Sequence, residues 1–167
     1  MIRIGMGVDI HPFVKNRPLV LGGVQIPHPR GLKGHSDADA LAHAVMDALL
    51  GAAGERDIGH FFPNTDRRWK DADSMKMLRI VRLRLARNRA RIANVDVTVV
   101  AQEPKLAPYI ERMNHNLAAA LKIPRSNIAI KATTSEWMGF TGRKEGIVAL
   151  AVACVDFVSG VRRRRSA

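Results

Sequence analysis

Cysteine and aromatic residues are scarce in this chain of 167 residues, which has one cysteine and 5% aromatic residues. A single cysteine, Cys154, excludes an internal disulfide, and its place in the apolar run from Ile147 to Val155 predicts a buried thiol. That run is the longest apolar one, and it is far short of the roughly 20 residues of a membrane-spanning helix. The first residues, MIRIGMGVD, lack the apolar stretch of a signal peptide. We therefore expect a cytoplasmic protein with no membrane segment.

Sequence motifs of several enzyme classes are absent as well. The glycines follow neither the phosphate-binding loop nor the dinucleotide-binding pattern, and no Gly-x-Ser-x-Gly elbow is present. Because the only thiol is expected in the core, covalent catalysis is disfavoured. Hydrophobic residues make up 47% and charged residues 25% of the chain, as in ordinary globular proteins. We expect one domain over residues 1–158 and a disordered basic tail over residues 159–167.

Negative charge is the scarcer sign, since 15 acidic residues stand against 27 lysines and arginines, a net charge of +12. Six arginines between Arg79 and Arg91 have no acid among them, and Arg162 to Arg165 add four more in the tail. Such a field attracts polyanions, so an RNA-binding module is one functional alternative. No aromatic residue interleaves these arginines to stack on bases, and we favour a solvated helix face without a nucleic-acid partner.

Hydrophobic periodicity predicts strands and helices in alternation. Strands are expected from residue 2 up to a loop at 8–12, and then at 19–22, 24–26, 94–101, 128–133 and 147–157. Helices are expected from about residue 37 to 54, from 73 or 74 onward, and over 108–121. The second helix should bury a stripe formed by Met77, Ile80, Val81 and Leu85.

This order of elements indicates an α/β fold, specifically an α+β two-layer sandwich. We expect a mixed main sheet of four strands with helices on one face. The last strand is apolar on both sides, so the other face of the sheet should meet another subunit.

A candidate metal site combines residues that are distant in sequence. Asp9 and His11 are two apart in an extended segment, so their side chains point the same way, and His43 lies within the first helix. One Asp and two His suit zinc and leave a fourth position open for an oxygen ligand. Asp47, one turn after His43, is expected to bind the second imidazole nitrogen. The spacing Asp-x-His is common by chance, so ordinary surface residues remain the alternative at this point.

Two other segments carry residues suited to phosphate. His35, Ser36 and Asp37 come just before the first helix, where free N–H groups and the helix dipole attract anions, although helix capping explains the same residues. The segment 133–136, Thr-Thr-Ser-Glu, offers three hydroxyls and one carboxylate at a strand end. That composition suits phosphate oxygens and a hard cation such as Mg²⁺, with a simple polar loop as the alternative.

Taken together, these segments resemble the 2-C-methyl-D-erythritol 2,4-cyclodiphosphate synthase family of the non-mevalonate isoprenoid pathway. The resemblance runs from Ile2 to about Val158. It rests on six blocks in order: GMGVDIHPF, LGGVQIP, GLKGHSDADALAHAVMDALLGAA, DIGHFFPNTD, NVDVTVVAQEPKL and KATTSEWMGFTGRKEGI. It implies a lyase that cyclises 4-diphosphocytidyl-2-C-methyl-D-erythritol 2-phosphate and releases CMP by metal-assisted intramolecular phosphoryl transfer.

The resemblance also implies roles for individual residues. Asp9, His11 and His43 would hold Zn²⁺, and Glu136 would help hold a second divalent cation, Mg²⁺ or Mn²⁺. These residues other than His43 would also touch the substrate.

Transition-state stabilisation would come from His35 and Thr134, which also contact the substrate. The other substrate-binding residues that the resemblance implies are Ile10, Ser36, Asp57, Ile58, Gly59, Phe62, Pro63, Asn64, Thr65, Asp66, Ala101, Gln102, Glu103, Pro104, Lys105, Leu106, Ala107, Ala132, Thr133, Ser135, Phe140 and Arg143.

A homotrimer with active sites between subunits is a further implication. Residues 57–66 would hold the erythritol end of the substrate, while 101–107 and 132–136 of another subunit would hold the cytidine end. Arg143 would lie near a cavity on the threefold axis that takes isoprenoid diphosphates. Asn64 and Arg67 depart from the common family pattern in the substrate loop. A zinc-dependent phosphodiesterase, which uses water instead of the substrate's own phosphate, is an alternative with the same metal ligands.

Overall fold

The structure is a computed structural model that describes residues 1–157, so the predicted basic tail at 159–167 lies outside the described residues. The strands are β1 (Ile2–Lys15), β2 (Leu19–Leu21), β3 (Val24–Ile26), β4 (Arg30–Leu32), β5 (Ala90–Val100), β6 (Ile128–Thr133) and β7 (Gly146–Phe157). The helices are α1 (Ala40–Ala53), α2 (Ile58–Phe61), α3 (Ser74–Arg87), α4 (Ile110–Leu121) and α5 (Gly139–Gly142). Short 3₁₀ helices occupy Arg67–Trp69, Ala107–Tyr109 and Arg125–Asn127.

The main sheet has five strands in the order β4-β1-β7-β5-β6, and β2 pairs with β3 in a separate hairpin. Strands β5 and β6 are parallel while the other neighbours are antiparallel, which confirms the predicted mixed α/β sheet. The predicted number of four strands is wrong, because β4 pairs with the far end of β1. The glycines and prolines around β4 led to the prediction of a loop. Gly31 instead allows close packing within the strand, because a Cβ at this position would stand 2.2 Å from the Pro18 carbonyl oxygen.

The two faces of β1 differ in their surroundings. Gly5 and Gly7 are buried against α1, whereas Ile4 and Met6, which alternate with them, are 70% and 65% exposed. The exposed side continues onto β7, and we call it the apolar sheet face: Ile2, Ile4, Met6, Val8, Ile10, Leu150 and Val152. Helices α1, α3 and α4 pack on the opposite side of the sheet, as predicted. A broad apolar surface of this kind is typical of a protein–protein contact.

Cys154 pairs with Ile4 across β1 and β7 and is half-buried. The prediction that it is a core residue is therefore wrong. Its side chain follows the parity of Leu150 and Val152 in β7 and therefore points to the apolar sheet face. None of the helices within residues 1–157 is long and apolar enough to cross a membrane.

Helix α1 occupies the centre of the core and is buried along almost its whole length. Helix α3 covers it with a narrower stripe than the sequence predicted, because Ile80 is 44% exposed. With 100° of rotation per residue, Ile80 lies about 60° from Met77 around the helix axis, on the side away from Val81 and Leu85, and so beyond the edge of the buried stripe. Met77, Val81 and Leu85 are buried as expected, and Leu78 joins them.

Candidate active site

Three side chains converge on one point at the edge between β1 and α1. Asp9 Oδ2 lies 2.9 Å from His11 Nε2 and 3.0 Å from His43 Nδ1. The two imidazole nitrogens are 3.4 Å apart. We call Asp9, His11 and His43 the metal triad, because each offers one ligand atom to the same position.

Strand geometry and close helix packing build this triad. Asp9 and His11 lie within β1 and not in a loop, since the strand continues to Lys15; the predicted loop at 8–12 is therefore wrong. They follow Gly5 and Gly7 on the side of β1 that faces α1. Since glycine lets α1 approach the strand closely, the first turn of α1 carries His43 to the two strand ligands.

The outward nitrogen of each imidazole is also bound. His11 Nδ1 lies 2.5 Å from the Lys33 carbonyl oxygen, which can only accept, so Nδ1 carries a hydrogen and Nε2 is the nitrogen that can offer a lone pair to a metal ion. His43 Nε2 lies 3.1 Å from Ser36 Oγ and 3.0 Å from Ser74 Oγ. Ordered outer partners of this kind are typical of metal-binding histidines.

Asp47 was predicted to bind the outer nitrogen of His43, and this prediction is wrong. Its Oδ1 accepts the backbone N–H of Ile58 at 2.8 Å and so fixes the start of α2. Burial raises the pKa of the Asp47 carboxyl. The hydroxyl of Ser74 lies next to His43 Nε2 instead. Ser74 belongs to α3, so a search for partners one helical turn away within α1 could not find it.

The charges within the triad reinforce one another. Burial opposes ionisation of Asp9, but the neighbouring imidazoles of His11 and His43 outweigh it and hold the pKa of the carboxyl well below its usual range. Burial likewise opposes the charged form of His11, and the hydrogen bond to Asp9 outweighs it and raises the pKa of the imidazole. Asp9 and His11 therefore each favour the charged form of the other.

The donor set fits a zinc ion. A tetrahedral Zn²⁺ with bonds of about 2.0–2.1 Å separates neighbouring ligand atoms by about 3.3 Å. The three separations within the triad, 2.9, 3.0 and 3.4 Å, are close to that value. One carboxylate and two imidazoles leave the fourth position open, which is the pattern of a catalytic and not a structural zinc site.

A cavity of about 250 Å³ opens beside the triad. Predicted substrate-binding residues form much of its wall, and three further residues were missed: Gly34, Trp69 and Met77. Trp69 packs edge-to-face on Phe62 at 4.8 Å between ring centroids. It follows the DIGHFFPNTD block by three residues, so its place near the predicted substrate loop was the available signal. The full lining is Asp9, His11, Gly34, His35, Ser36, His43, Ile58, Gly59, Phe62, Asn64, Trp69 and Met77.

His35 connects the predicted substrate loop, residues 57–66, to the segment that precedes α1. Its Nε2 lies 3.3 Å from the Asp66 carbonyl oxygen, to which it can donate. The Asp66 carboxylate accepts hydrogen bonds from Arg68, which lower the pKa of Asp66. Asp57 begins α2 by accepting the His60 N–H at 3.0 Å. Among the described residues, Asp57, Pro63, Thr65 and Asp66 border the loop without lining the cavity.

A second group of predicted residues lies at the ends of β5 and β6. The Ala101 N–H donates to the Thr133 carbonyl oxygen at 3.0 Å, which continues the pairing of the two strands. Beyond it, the Thr134 hydroxyl donates to Glu136 Oε1 at 2.6 Å. Glu136 is exposed and has a φ of 51°, an uncommon value that presents its carboxylate at the surface of the loop.

Neighbouring residues of this second group fix the surrounding loops. Glu103 binds Lys144 at 2.8 Å and Arg30 at 3.0 Å. The hydrogen bond from Lys144 contributes most to lowering the pKa of Glu103. The Trp137 N–H donates to Gln102 Oε1 at 3.3 Å.

The remaining predicted residues differ in exposure. Leu106 is buried, and Arg143 pairs with Glu145 at 2.8 Å. Ser135 is half-buried and its hydroxyl donates to the Met138 carbonyl oxygen at 2.9 Å, whereas Pro104 is half-buried and Lys105, Ala107, Ala132 and Phe140 are exposed. Ile10 lies on the apolar sheet face, on the side of β1 opposite the triad.

The two groups lie at the same end of the sheet but on different strands. Asp9 pairs with Ala149, Ala149 with Val99, and Val99 with Ala132. Three spacings of about 4.8 Å place β1 and β6 about 14 Å apart. Within residues 1–157 of one chain, no residue of 101–107 or 132–136 lines the cavity at the triad.

The arginines of α3 lie on several sides of that helix. Arg84 pairs with Glu55 at 3.0 Å and lies over the Phe61 ring, while Arg79 borders a different cavity with Asp37 and Asp73. No arginine in the described part of the chain lines the cavity at the triad.

Comparison with known proteins gives one family. The YgbB family model matches residues 2–156. The 2-C-methyl-D-erythritol 2,4-cyclodiphosphate synthase of Moorella thermoacetica is 58% identical over 151 residues, which cover 90% of this chain and 93% of that protein. The synthase of the same name from Salinibacter ruber is 53% identical over 155 residues, covering 93% and 99%.

Solved structures agree with the sequence comparison. The bifunctional IspDF from Campylobacter jejuni matches with a TM-score of 0.90 and 44% identity over 94% of this chain, which spans 42% of that protein. IspF from Plasmodium falciparum, in complex with CDP, matches with a TM-score of 0.81 and 36% identity, covering 92% of this chain and 95% of that one.

Proposed function

Because the chain belongs to the YgbB family of 2-C-methyl-D-erythritol 2,4-cyclodiphosphate synthases, we propose that the metal triad is the centre of its active site. The enzyme converts 4-diphosphocytidyl-2-C-methyl-D-erythritol 2-phosphate into 2-C-methyl-D-erythritol 2,4-cyclodiphosphate and CMP, a step of the non-mevalonate isoprenoid pathway. An oxygen of the 2-phosphate bonds to the β-phosphorus while the bond from that phosphorus to CMP breaks, so water is not consumed. The convergence of three ligand atoms beside a cavity carries the proposal.

Asp9, His11 and His43 would hold Zn²⁺, and the spacing of their ligand atoms supports this choice. When bound, zinc supplies positive charge that polarises a phosphoryl oxygen. The chain's own contribution is to orient the substrate and keep solvent from the reacting phosphorus. Phe62 and Trp69 form an apolar side of the cavity and suit the second task.

Phosphate binding falls to the segment that leads into α1. His35 lines the cavity, and its Nε2–H could donate to a phosphoryl oxygen in place of the Asp66 carbonyl oxygen, which supports its proposed role in stabilising the transition state. Ser36 lies next to it with its hydroxyl near His43. Ile58 and Gly59 also line the cavity, beside Asp57, and these three residues are placed to bind the erythritol hydroxyls.

The cytidine end and the second cation belong, in this proposal, to a neighbouring subunit. The segments 101–107 and 132–136 lie too far from the triad within one chain, but a second copy can bring them to it. The Plasmodium falciparum relative was solved with CDP, which supports a cytidine nucleotide as the ligand. Glu136, steadied by the Thr134 hydroxyl, would bind Mg²⁺ or Mn²⁺ near the diphosphate.

A homotrimer packed through its sheets would supply that second copy. The apolar sheet face has no partner within residues 1–157, and a repeated contact around a threefold axis would cover it. An isoprenoid diphosphate near Arg143 on that axis remains a further part of the proposal, supported by the exposed guanidinium. The lone Cys154 supports the cytoplasm as the compartment.

A product assay tests the proposed function. Purified protein with Zn²⁺ and Mg²⁺ should convert the diphosphocytidyl substrate to CMP and cyclic diphosphate in equal amounts, as followed by mass spectrometry. In water enriched in ¹⁸O, neither product should gain label. Labelled linear product would instead establish the phosphodiesterase alternative, and the absence of CMP would refute both. His43→Ala should lose turnover because one ligand of the triad is removed.

A further inference from the structure

We propose that Asp37 and Ser74 are positioning residues that hold His43 in the tautomer able to bind the metal. In this tautomer Nε2 carries the hydrogen and Nδ1 presents its lone pair to the ion. The inference rests on the proposed metal triad, but it concerns two residues outside it. Neither residue lines the cavity beside the triad.

The hydrogen bonds from His43 through Ser74 to Asp37 determine which atom donates at each contact. The Ser74 hydroxyl donates to Asp37 Oδ1 at 2.5 Å, and Ser74 Oγ lies 3.0 Å from His43 Nε2. A hydroxyl has one hydrogen, and a carboxylate can only accept. Once Ser74 donates to Asp37, its oxygen can meet Nε2 only as an acceptor. Nε2 must therefore be the protonated nitrogen of His43.

Burial makes this arrangement selective. Ser74 is 0% exposed and His43 is 6% exposed, so water is not at hand to replace a lost partner. An unmatched polar pair in such surroundings is costly, which strongly disfavours the other tautomer.

A competing interaction at Nδ1 shows why His43 needs a partner that selects its tautomer. Asp9 Oδ2 lies 3.0 Å from His43 Nδ1, and without an ion it attracts a hydrogen to that nitrogen. A protonated Nδ1 has no lone pair for a metal. Ser36 does not resolve the competition, because its hydroxyl at 3.1 Å from Nε2 can donate as well as accept. The pair of Asp37 and Ser74 is the one contact at Nε2 that fits a single tautomer.

Asp37 is itself held in place from two directions. Its Oδ2 accepts the Ser74 backbone N–H at 2.9 Å, and its Oδ1 accepts the Asp39 N–H at 3.2 Å. The carboxylate thus joins the start of α3 to the segment before α1. This double attachment keeps the Ser74 oxygen directed at His43.

Metal affinity is the direct measurement, made by competition with a chromophoric chelator for Zn²⁺ and Co²⁺. Ser74→Ala should weaken binding about 10–100-fold, as for other outer partners of metal-bound histidines. Asp37→Asn should weaken it in the same direction. Because the two residues act in series, the double variant should bind about as weakly as Ser74→Ala alone. Additive losses in the double variant would overturn the chain from Asp37 through Ser74.

Asp73→Ala is the matched control. Asp73 accepts the Met75 N–H at 2.7 Å and caps the same helix, but it makes no hydrogen bond to His43. The variant should lower thermal stability while leaving metal affinity unchanged. If it weakens metal binding as much as Ser74→Ala does, the effect comes from α3 as a whole and the proposal fails.

The tautomer itself can be observed without metal, by NMR of protein labelled with ¹⁵N-histidine. Wild type should show hydrogen on His43 Nε2, and Ser74→Ala should shift it toward Nδ1. If wild type binds no metal, the proposed triad fails; if wild type and Ser74→Ala bind metal equally well, only the present inference fails. Should Ser74→Ala not fold, Asp37→Asn gives the same two readings.

Discussion

Gly7 in β1 lies directly beneath Ala44 in α1, where a Cβ built on the glycine would stand 2.0 Å from the Ala44 carbonyl oxygen. Gly5 makes the same approach to Ala48, at 2.1 Å. Helix and strand backbones therefore touch without side chains between them. His43 is the residue before Ala44, so this contact sets the height of its imidazole above the strand ligands.

Gly7→Ala should damage both stability and metal binding. The methyl group meets backbone atoms, which cannot turn aside as a side chain would, and we expect a loss of about 1–3 kcal/mol in the free energy of unfolding. Because α1 must move away from β1, metal affinity should also fall. Chemical denaturation and chelator competition measure the two effects.

Gly51→Ala, in α1, is the control for Gly7→Ala. A Cβ there has no neighbour closer than 3.9 Å, so the substitution should stabilise the protein by about 0.5–1 kcal/mol and leave metal binding unchanged. If both alanine variants lost metal affinity alike, close packing of α1 on β1 would not be what positions His43.

Local geometry in the sequence was enough to place two of the three residues of the triad relative to each other. A period of two puts Asp9 and His11 on the same side of any strand. The meeting with His43 depends on how α1 lies across β1, and no local pattern encodes that. Residue chemistry suggested the three as one candidate site, with ordinary surface residues as the alternative, and the resemblance to a family made the metal site the favoured interpretation. The partner of His43 shows the same limit, because Ser74 reaches it from another helix while Asp47, the local candidate, turns to Ile58.

Proton competition should make metal binding weaker in acid. His11 must lose its proton to bind an ion, and its pKa lies above the ordinary 6.5 because the bond to Asp9 outweighs the opposing effect of burial. Below that raised pKa the dissociation constant for Zn²⁺ should rise by about tenfold per pH unit, with about one proton released per ion bound. Calorimetry in buffers of different ionisation enthalpy counts that proton. An affinity that stays constant from about pH 8 to about pH 6 would contradict the charge pairing.

Stability of the metal-free protein should change in the opposite direction over the same range. A raised folded-state pKa means that the contribution of His11 is full below pH 6.5 and is lost as the pH rises through the raised value. Asp9, whose pKa is lowered, contributes above its ordinary 3.8 and loses that contribution on further acidification. Melting temperatures after metal removal should therefore fall from mildly acidic to alkaline pH. This effect should be absent when zinc is saturating.

Ile4→Asp should dissociate the proposed trimer while leaving each chain folded. Ile4 is 70% exposed in the single chain, so a carboxylate there costs little folding free energy, but in a buried contact it would be desolvated without a partner. Sedimentation velocity should show monomers. Ile80→Asp, an exposed residue of α3 on the other side of the sheet, should leave the assembly unchanged. A trimer that survives Ile4→Asp would place the contact elsewhere.

Mixed assemblies test whether each active site is shared between subunits. His43→Ala removes a residue of the triad, and Glu136→Ala removes one from the group at the ends of β5 and β6, so each variant alone should be inactive. When the two variants are co-expressed with different tags and the trimers that carry both tags are purified, each mixed trimer has one of its three sites with both halves intact. These trimers should therefore regain about a third of the wild-type activity. Co-expression of His43→Ala with Asp9→Ala, which damage the same half, should restore none. If the first pair recovers no more activity than the second, the triad and Glu136 act within one chain or not together at all.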